Sequence, residues 1–241
     1  MKVIELHESV TASNDRDAEA LREEMKRRGT LLINLMSSPG SGKTTLLART
    51  IRDLQGECSG EDSGDAGNRR ADDKLKIAVL EADIDSDVDA RRMDRLGAKT
   101  IQVHTDGMCH MDAGMTARGL GELGYEGIDL AFLENVGNLI CPAEFDTGAG
   151  KNVMILSVPE GDDKPLKYPL MFQVSDLLVV SKSDTAAIFD FDFDRLRENV
   201  SAQRKKADRR SAEMPVLPLS AKTGEGFDAW ISWLKREVNA R

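Results

Sequence analysis

One stretch constrains this chain more than any other: the apolar run Leu31-Leu-Ile-Asn-Leu-Met-Ser37, followed by Ser-Pro-Gly-Ser-Gly-Lys-Thr44. A run of this length that is apolar but for Asn34 and its closing serine reads as a strand buried on both faces. Lys43-Thr-Thr-Leu-Leu-Ala48 then opens a helix. Strand, glycine-rich loop and helix in that order turn backbone N–H groups inward at a helix N-terminus, which makes a cradle for phosphate. Gly40, Ser41, Gly42, Lys43, Thr44 and Thr45 would line it. Lys43 brings a point charge to the outer phosphates, and the Thr44 hydroxyl suits Mg²⁺. Ser37 stands where the strict pattern has glycine; the rest of the pattern is intact. A plain glycine-rich turn before a helix would not need all of these residues together.

The remaining pattern alternates strands and helices. Apolar strand signals recur at 76–83, 99–104, 128–135, 153–158, 176–184 and 213–221. Helical signals fall at 43–54, 87–96, 111–123, 192–208 and 226–238. Such alternation predicts an α/β P-loop NTPase domain with a mainly parallel sheet flanked by helices. Residues 1–29 read as a short N-terminal helical extension, charged and exposed, ahead of a single domain over 30–241. Residues 56–74 are rich in Gly, Ser and Asp and read as a flexible insertion.

Charge narrows the partners. Lys+Arg 33 against Asp+Glu 42 gives a net charge of -9, which argues against nucleic acid or an anionic membrane. No apolar run approaches the about 18 residues of a membrane span, and the first residues lack a signal peptide's apolar core. A cytoplasmic location is expected, and with three cysteines, thiols rather than disulfides.

Two later segments bear on the base. Val179-Val-Ser-Lys-Ser-Asp184 ends a strand where GTPases carry Asn-Lys-x-Asp. The Asp184 carboxylate can accept two hydrogen bonds from guanine, and adenine offers no such donor pair on that edge. Lys182 would lie over the ring. Ser181 replaces the usual Asn, which predicts weaker bracing of the loop. Ser220-Ala-Lys222 matches the element that presents a backbone N–H to guanine O6. A P-loop kinase of small molecules would need neither element.

Cys109, His110 and Cys141 each follow a strand, on loops at the sheet's carboxyl edge, where open α/β sheets bind ligands. Thiolate and imidazole suit Zn²⁺, Ni²⁺ or Cu⁺. Adjacent residues can share an ion only from a loop, and Gly107 makes one there. Spacing alone admits both a metal site and two buried thiols beside an unrelated histidine. Three ligands leave a four-coordinate ion one short, which a symmetric dimer could supply. His7, Cys58 and His104 receive no metal role.

Four segments carry a family resemblance: Asn34–Thr45, Gly107-Met-Cys-His-Met-Asp-Ala113, Glu134-Asn-Val-Gly-Asn-Leu-Ile-Cys-Pro-Ala143 and Glu160-Gly-Asp-Asp-Lys-Pro-Leu-Lys-Tyr-Pro169. They resemble the HypB family of hydrogenase nickel-incorporation GTPases, over about residues 30–236. The resemblance implies a SIMIBI-class GTPase that dimerises with GTP, binds Ni²⁺ or Zn²⁺, and serves [NiFe]-hydrogenase maturation with a HypA-like accessory protein and the hydrogenase large-subunit precursor. It implies that Cys109, His110 and Cys141 are the nickel or zinc ligands. Mg²⁺ would be held by Thr44 with Asp83, Asp89 and Glu134. Lys43 and Glu134 would be the catalytic residues, Gly137 the glycine whose N–H senses the γ-phosphate, and Lys167 a lysine reaching guanine across the dimer. Many members carry an N-terminal cysteine cluster or a histidine-rich tail; the earliest cysteine here is Cys58, so only the site in the main domain is expected. A urease-type UreG relative would show Cys-Pro-His instead of Cys109-His110. A regulatory GTPase tuned by metal is the remaining alternative. No arginine finger stands out, so slow intrinsic hydrolysis is expected.

Overall fold

The computed structural model describes residues 6–56, 75–83, 93–105, 107–207 and 213–241. The 56–74 insertion beyond Gly56, with Cys58, lies outside them, as do Asp89 and most of the 87–96 helix; of Asp83 only the backbone is described.

In chain order the elements are α1 (Leu6–Arg28), β1 (Leu31–Ser37), α2 (Lys43–Gln55), β2 (Ile77–Asp83), β3 (Lys99–His104), α3 (Ala113–Leu123), β4 (Leu130–Glu134), α4 (Cys141–Glu144), β5 (Lys151–Ser157), α5 (Lys164–Lys167), α6 (Pro169–Val174), β6 (Leu177–Ser181), α7 (Phe193–Lys206), β7 (Val216–Pro218) and α8 (Phe227–Asn239). Seven strands form one sheet in the order β3-β2-β4-β1-β5-β6-β7, and every pairing is parallel. The α/β P-loop architecture expected from the sequence is the one observed.

The alternation of side chains along each strand divides the core. Ile33, Leu35, Phe132, Val153 and Val179 face α2 and α8, whose Leu47, Ile51, Trp230 and Leu234 close that side. On the other side Leu32, Leu80, Ala131 and Leu133 meet α1 and α3. Met154, Leu156, Leu178 and Val180 meet α6 and α7. All seven residues of β1 are buried, as its mostly apolar run predicts, and the polar Asn34 within it is hydrogen-bonded to Asn135 and Asn152.

The leading helix departs from the sequence expectation. Its outward face is charged, but Ala18, Leu21 and Met25 are buried, the last two in the cluster with α3. Few apolar residues suffice because they fall on one stripe. Three short helices, α4, α5 and α6, also went unforeseen; each has proline at its first or second position, where a missing N–H costs nothing.

Because all strands run the same way, Ser37, Asp83, Glu134, Ser157 and Ser181 end β1, β2, β4, β5 and β6 at one edge. The candidate site is built there.

Candidate nucleotide and metal sites

Gly40 and Gly42 adopt left-handed backbone conformations, φ 73 and φ 93, yet a Cβ at either would meet nothing within 4 Å. Glycine is needed there for the turn of the chain rather than for room. Lys43 Nζ donates to Ser37 Oγ at 2.7 Å, so the serine at the glycine position tethers the lysine. Burial pulls the Lys43 pKa down, opposed by the charges of Glu134 and Glu160.

The Thr44 hydroxyl donates to Glu134 Oε1 at 2.8 Å. Glu134 is buried at the end of β4, and Glu81, also buried, is its register partner on β2. Hydroxyl and carboxylate oxygens beside the phosphate loop form the donor set a hard cation takes, so Thr44 and Glu134 fit Mg²⁺. When bound, that ion would neutralise phosphate charge.

Next to the loop is a cavity of about 280 Å³ lined by Ser41, Gly42, Thr45, Ser181, Lys182, Asp184, Ser220, Ala221 and Lys222 among others. The phosphate loop and both base-reading segments thus share one pocket. Ser181 Oγ donates to Ser41 O at 2.6 Å, and Lys182 Nζ donates to Gly40 O at 2.9 Å. The shorter side chain expected to brace the loop more weakly does tie β6 to the phosphate loop, through this one hydrogen bond. Sequence reasoning also passed over Arg49, which donates to Ala221 O at 3.0 Å and lies over the Phe227 ring. Lys167 is not among the cavity's lining residues; it is exposed on α5 and pairs with Asp163 at 2.7 Å.

Cys109, His110 and Cys141 come together. One ligand atom from each lies within 4.8 Å of the others. The sulfurs are 2.8 Å apart, and Cys109 Sγ is 3.9 Å from His110 Nδ1. Gly107, at φ 82, makes the turn that lets adjacent residues converge. His110 stacks on Phe145 with ring centroids 3.9 Å apart. Burial lowers the imidazole's pKa, which favours the neutral, ligating form. Hydrogen bonding to Cys109, then burial, pushes the Cys141 thiol up.

The segment after β4 joins the two sites. A Cβ on Gly137 would sit 3.0 Å from Pro39 N, so this segment presses on the phosphate loop. Asn135 Oδ1 accepts from Met111 N at 3.2 Å, and Asn138 Nδ2 donates to Cys109 O at 3.5 Å. Neither asparagine was singled out from the sequence, although both lie within the Glu134–Cys141 run.

Residues 31–210 match the family model described as CobW/HypB/UreG, nucleotide-binding domain. The hydrogenase maturation factor HypB of Rhizobium leguminosarum bv. viciae is 39% identical over 239 residues, 99% of this chain and 71% of that protein. The chain belongs to the HypB family. Two solved HypB structures agree with the fold throughout. HypB from Helicobacter pylori, solved in complex with nickel, is 33% identical with a TM-score of 0.77, covering 95% of this chain and 96% of that one. HypB from Archaeoglobus fulgidus is 34% identical with a TM-score of 0.78, covering 94% and 99%. Among the described residues no helix is long and apolar enough to cross a membrane.

Proposed function

We propose that this HypB-family chain hydrolyses GTP, with Mg²⁺ held by Thr44, Glu134, Asp83 and Asp89, and uses the cycle to deliver nickel during [NiFe]-hydrogenase maturation. Nickel is the cargo, with zinc the competing ion, and Cys109, His110 and Cys141 are its ligands. The observation that carries this reading is the Glu134–Cys141 segment. It starts at the carboxylate bonded to Thr44, passes against Pro39 at Gly137, bonds to Cys109 through Asn138 and ends on a metal-site thiol. A γ-phosphate ordering Gly137 would therefore shift two thiolates at once, and hydrolysis would release them.

A homodimer assembled on GTP fits the same site. Met108 and Ile140 stand 39% and 56% exposed beside the two cysteines, an apolar rim suited to burial against a second copy. Pooled ligands would then complete the ion's coordination, and Lys167, exposed on α5, would leave Asp163 to reach the partner's guanine. A HypA-like protein and the hydrogenase large-subunit precursor are the proposed recipients, in the cytoplasm.

The test is transfer of radioactive nickel from the loaded protein to a hydrogenase large-subunit precursor, with GTP or a non-hydrolysable analogue. GTP-dependent transfer supports delivery. Nickel binding that alters GTP turnover without any transfer would leave a regulatory GTPase instead.

A further inference from the structure

The helix that precedes the phosphate loop holds the metal-site segments together. Asn14, on α1, makes two hydrogen bonds with one amide. Its Oδ1 accepts from Ala113 N at 3.0 Å, and its Nδ2 donates to Asp146 O at 2.9 Å. Ala113 starts α3, three residues beyond His110, and Asp146 lies five residues beyond Cys141. Only one orientation of the amide satisfies both, because one neighbour is an N–H and the other a carbonyl.

Two turns further along, Arg22 grips the same loop. It pairs with both Asp146 carboxylate oxygens, at 2.9 and 2.7 Å, and its Nε donates to Ala149 O at 3.3 Å. Between these anchors the backbones nearly touch: a Cβ on Gly148 would sit 2.9 Å from Leu21 Cβ and 3.1 Å from Ala18 O. The loop so fixed carries Phe145, on which His110 stacks.

We propose that Asn14 is a positioning residue for nickel, joining the Cys109-His110 segment to the Cys141 segment through α1. The proposal rests on reading Cys109, His110 and Cys141 as the metal ligands. Asn14 touches no ligand atom itself. It sets the distance between two loops that each bring ligands, one step further out than partners bonded to the ligands themselves, so its effect should fall at the low end of theirs.

The test titrates Ni²⁺ into the full chain by calorimetry and follows the thiolate-to-nickel charge-transfer band, with GDP affinity measured in parallel. Asn14→Ala should weaken nickel binding about tenfold, shift the band and leave GDP affinity as in the parent. Asn14→Asp keeps the acceptor for Ala113 N but sets a carboxylate against the Asp146 carbonyl, and should also shift the band. It carries the test if Asn14→Ala fails to fold. Parental nickel affinity and band in the folded variants would overturn the proposal. So would equal loss of nickel and GDP, since that reports general unfolding. Cys109→Ala separates the two readings: if it binds nickel as the parent does, the metal site itself is gone and the positioning role falls with it. If it abolishes binding while both Asn14 variants bind normally, only the positioning role fails.

Discussion

Lys43 and Asp184 illustrate two different uses of a charged side chain. Lys43 reaches back to Ser37 and sits where its ammonium is partly desolvated, so its charge is worth most to a phosphate and little to the fold. Lys43→Ala should abolish GTP hydrolysis and leave the unfolding transition near the parent's; parental turnover would remove the phosphate-loop assignment. Asp184 stands exposed at the cavity, available to two guanine donors. Losing that charged pair costs about 2–4 kcal/mol, or roughly 30- to 1,000-fold, so Asp184→Ala should erase a preference for GTP over ATP in competition titration. Asp162 gives a test without ligand. Arg195, donating through Nε at 2.8 Å, holds this buried carboxyl below its ordinary range. A depressed folded pKa means the stabilisation is full above the unfolded value of about 3.9 and is lost as pH falls through the folded value. Asp162→Asn should therefore lower the urea midpoint at neutral pH, and its gap from the parent should close in acid. A gap independent of pH would exclude this linkage.

At the scale of elements, the contact between α1 and the loop after α4 is tight enough to test sterically. Gly148 combines a left-handed φ of 76 with the close approach of Leu21. Gly148→Ala should cost about 1–3 kcal/mol through strain and overpacking, read as a lower urea midpoint; an unchanged midpoint would mean that the helix yields. This contact also marks what the sequence could not reveal. Strands such as Leu31–Ser37 and Leu130–Glu134 were legible because burial on both faces demands predominantly apolar runs. The phosphate loop was legible because glycine, lysine and threonine sit at a spacing the chemistry needs. The α1 contacts were not: Asn14 and Asp146 are 132 residues apart, and a polar residue in a charged helix carries no periodic signal. Helices α4 to α6 are too short for a hydrophobic period to develop, and their prolines read equally well as turns. The partner of Ser181 was hidden for another reason. Its sequence position shows a shorter side chain than asparagine, but only the approach of β6 to Ser41 shows that a hydroxyl is long enough.

Across the whole molecule, the two candidate sites lie on one sheet edge and share one segment, so a ligand at either should be felt at the other. Asn135 is buried and bonds to Asn34 of β1, whose amide continues to Asn152 of β5, so the segment's start is anchored in the sheet. Its far end lies nearer the surface: Leu139 is buried, but Asn138 is half-buried and Ile140 exposed. Nucleotide should therefore move the thiols at 109 and 141 while the sheet stays still. Replacing GDP by a non-hydrolysable GTP analogue should change nickel affinity by a factor in the range of about 5 to 150, and nickel should change the analogue's affinity relative to GDP by the same factor, because coupling is reciprocal. The fraction of dimer should shift with it. Asn138→Ala removes the bonds to the Cys109 carbonyl, the Ile140 N–H and the Cys141 thiol while leaving the phosphate loop and all three ligand side chains in the sequence. It should reduce that factor towards one while each ligand, added alone, still binds. Calorimetric titrations of nickel in the two nucleotide states, on parent and variant, measure all four affinities. Equal nickel affinity in the parent's two states would mean that the shared segment does not transmit nucleotide state. Undiminished coupling in Asn138→Ala would mean that another path carries it.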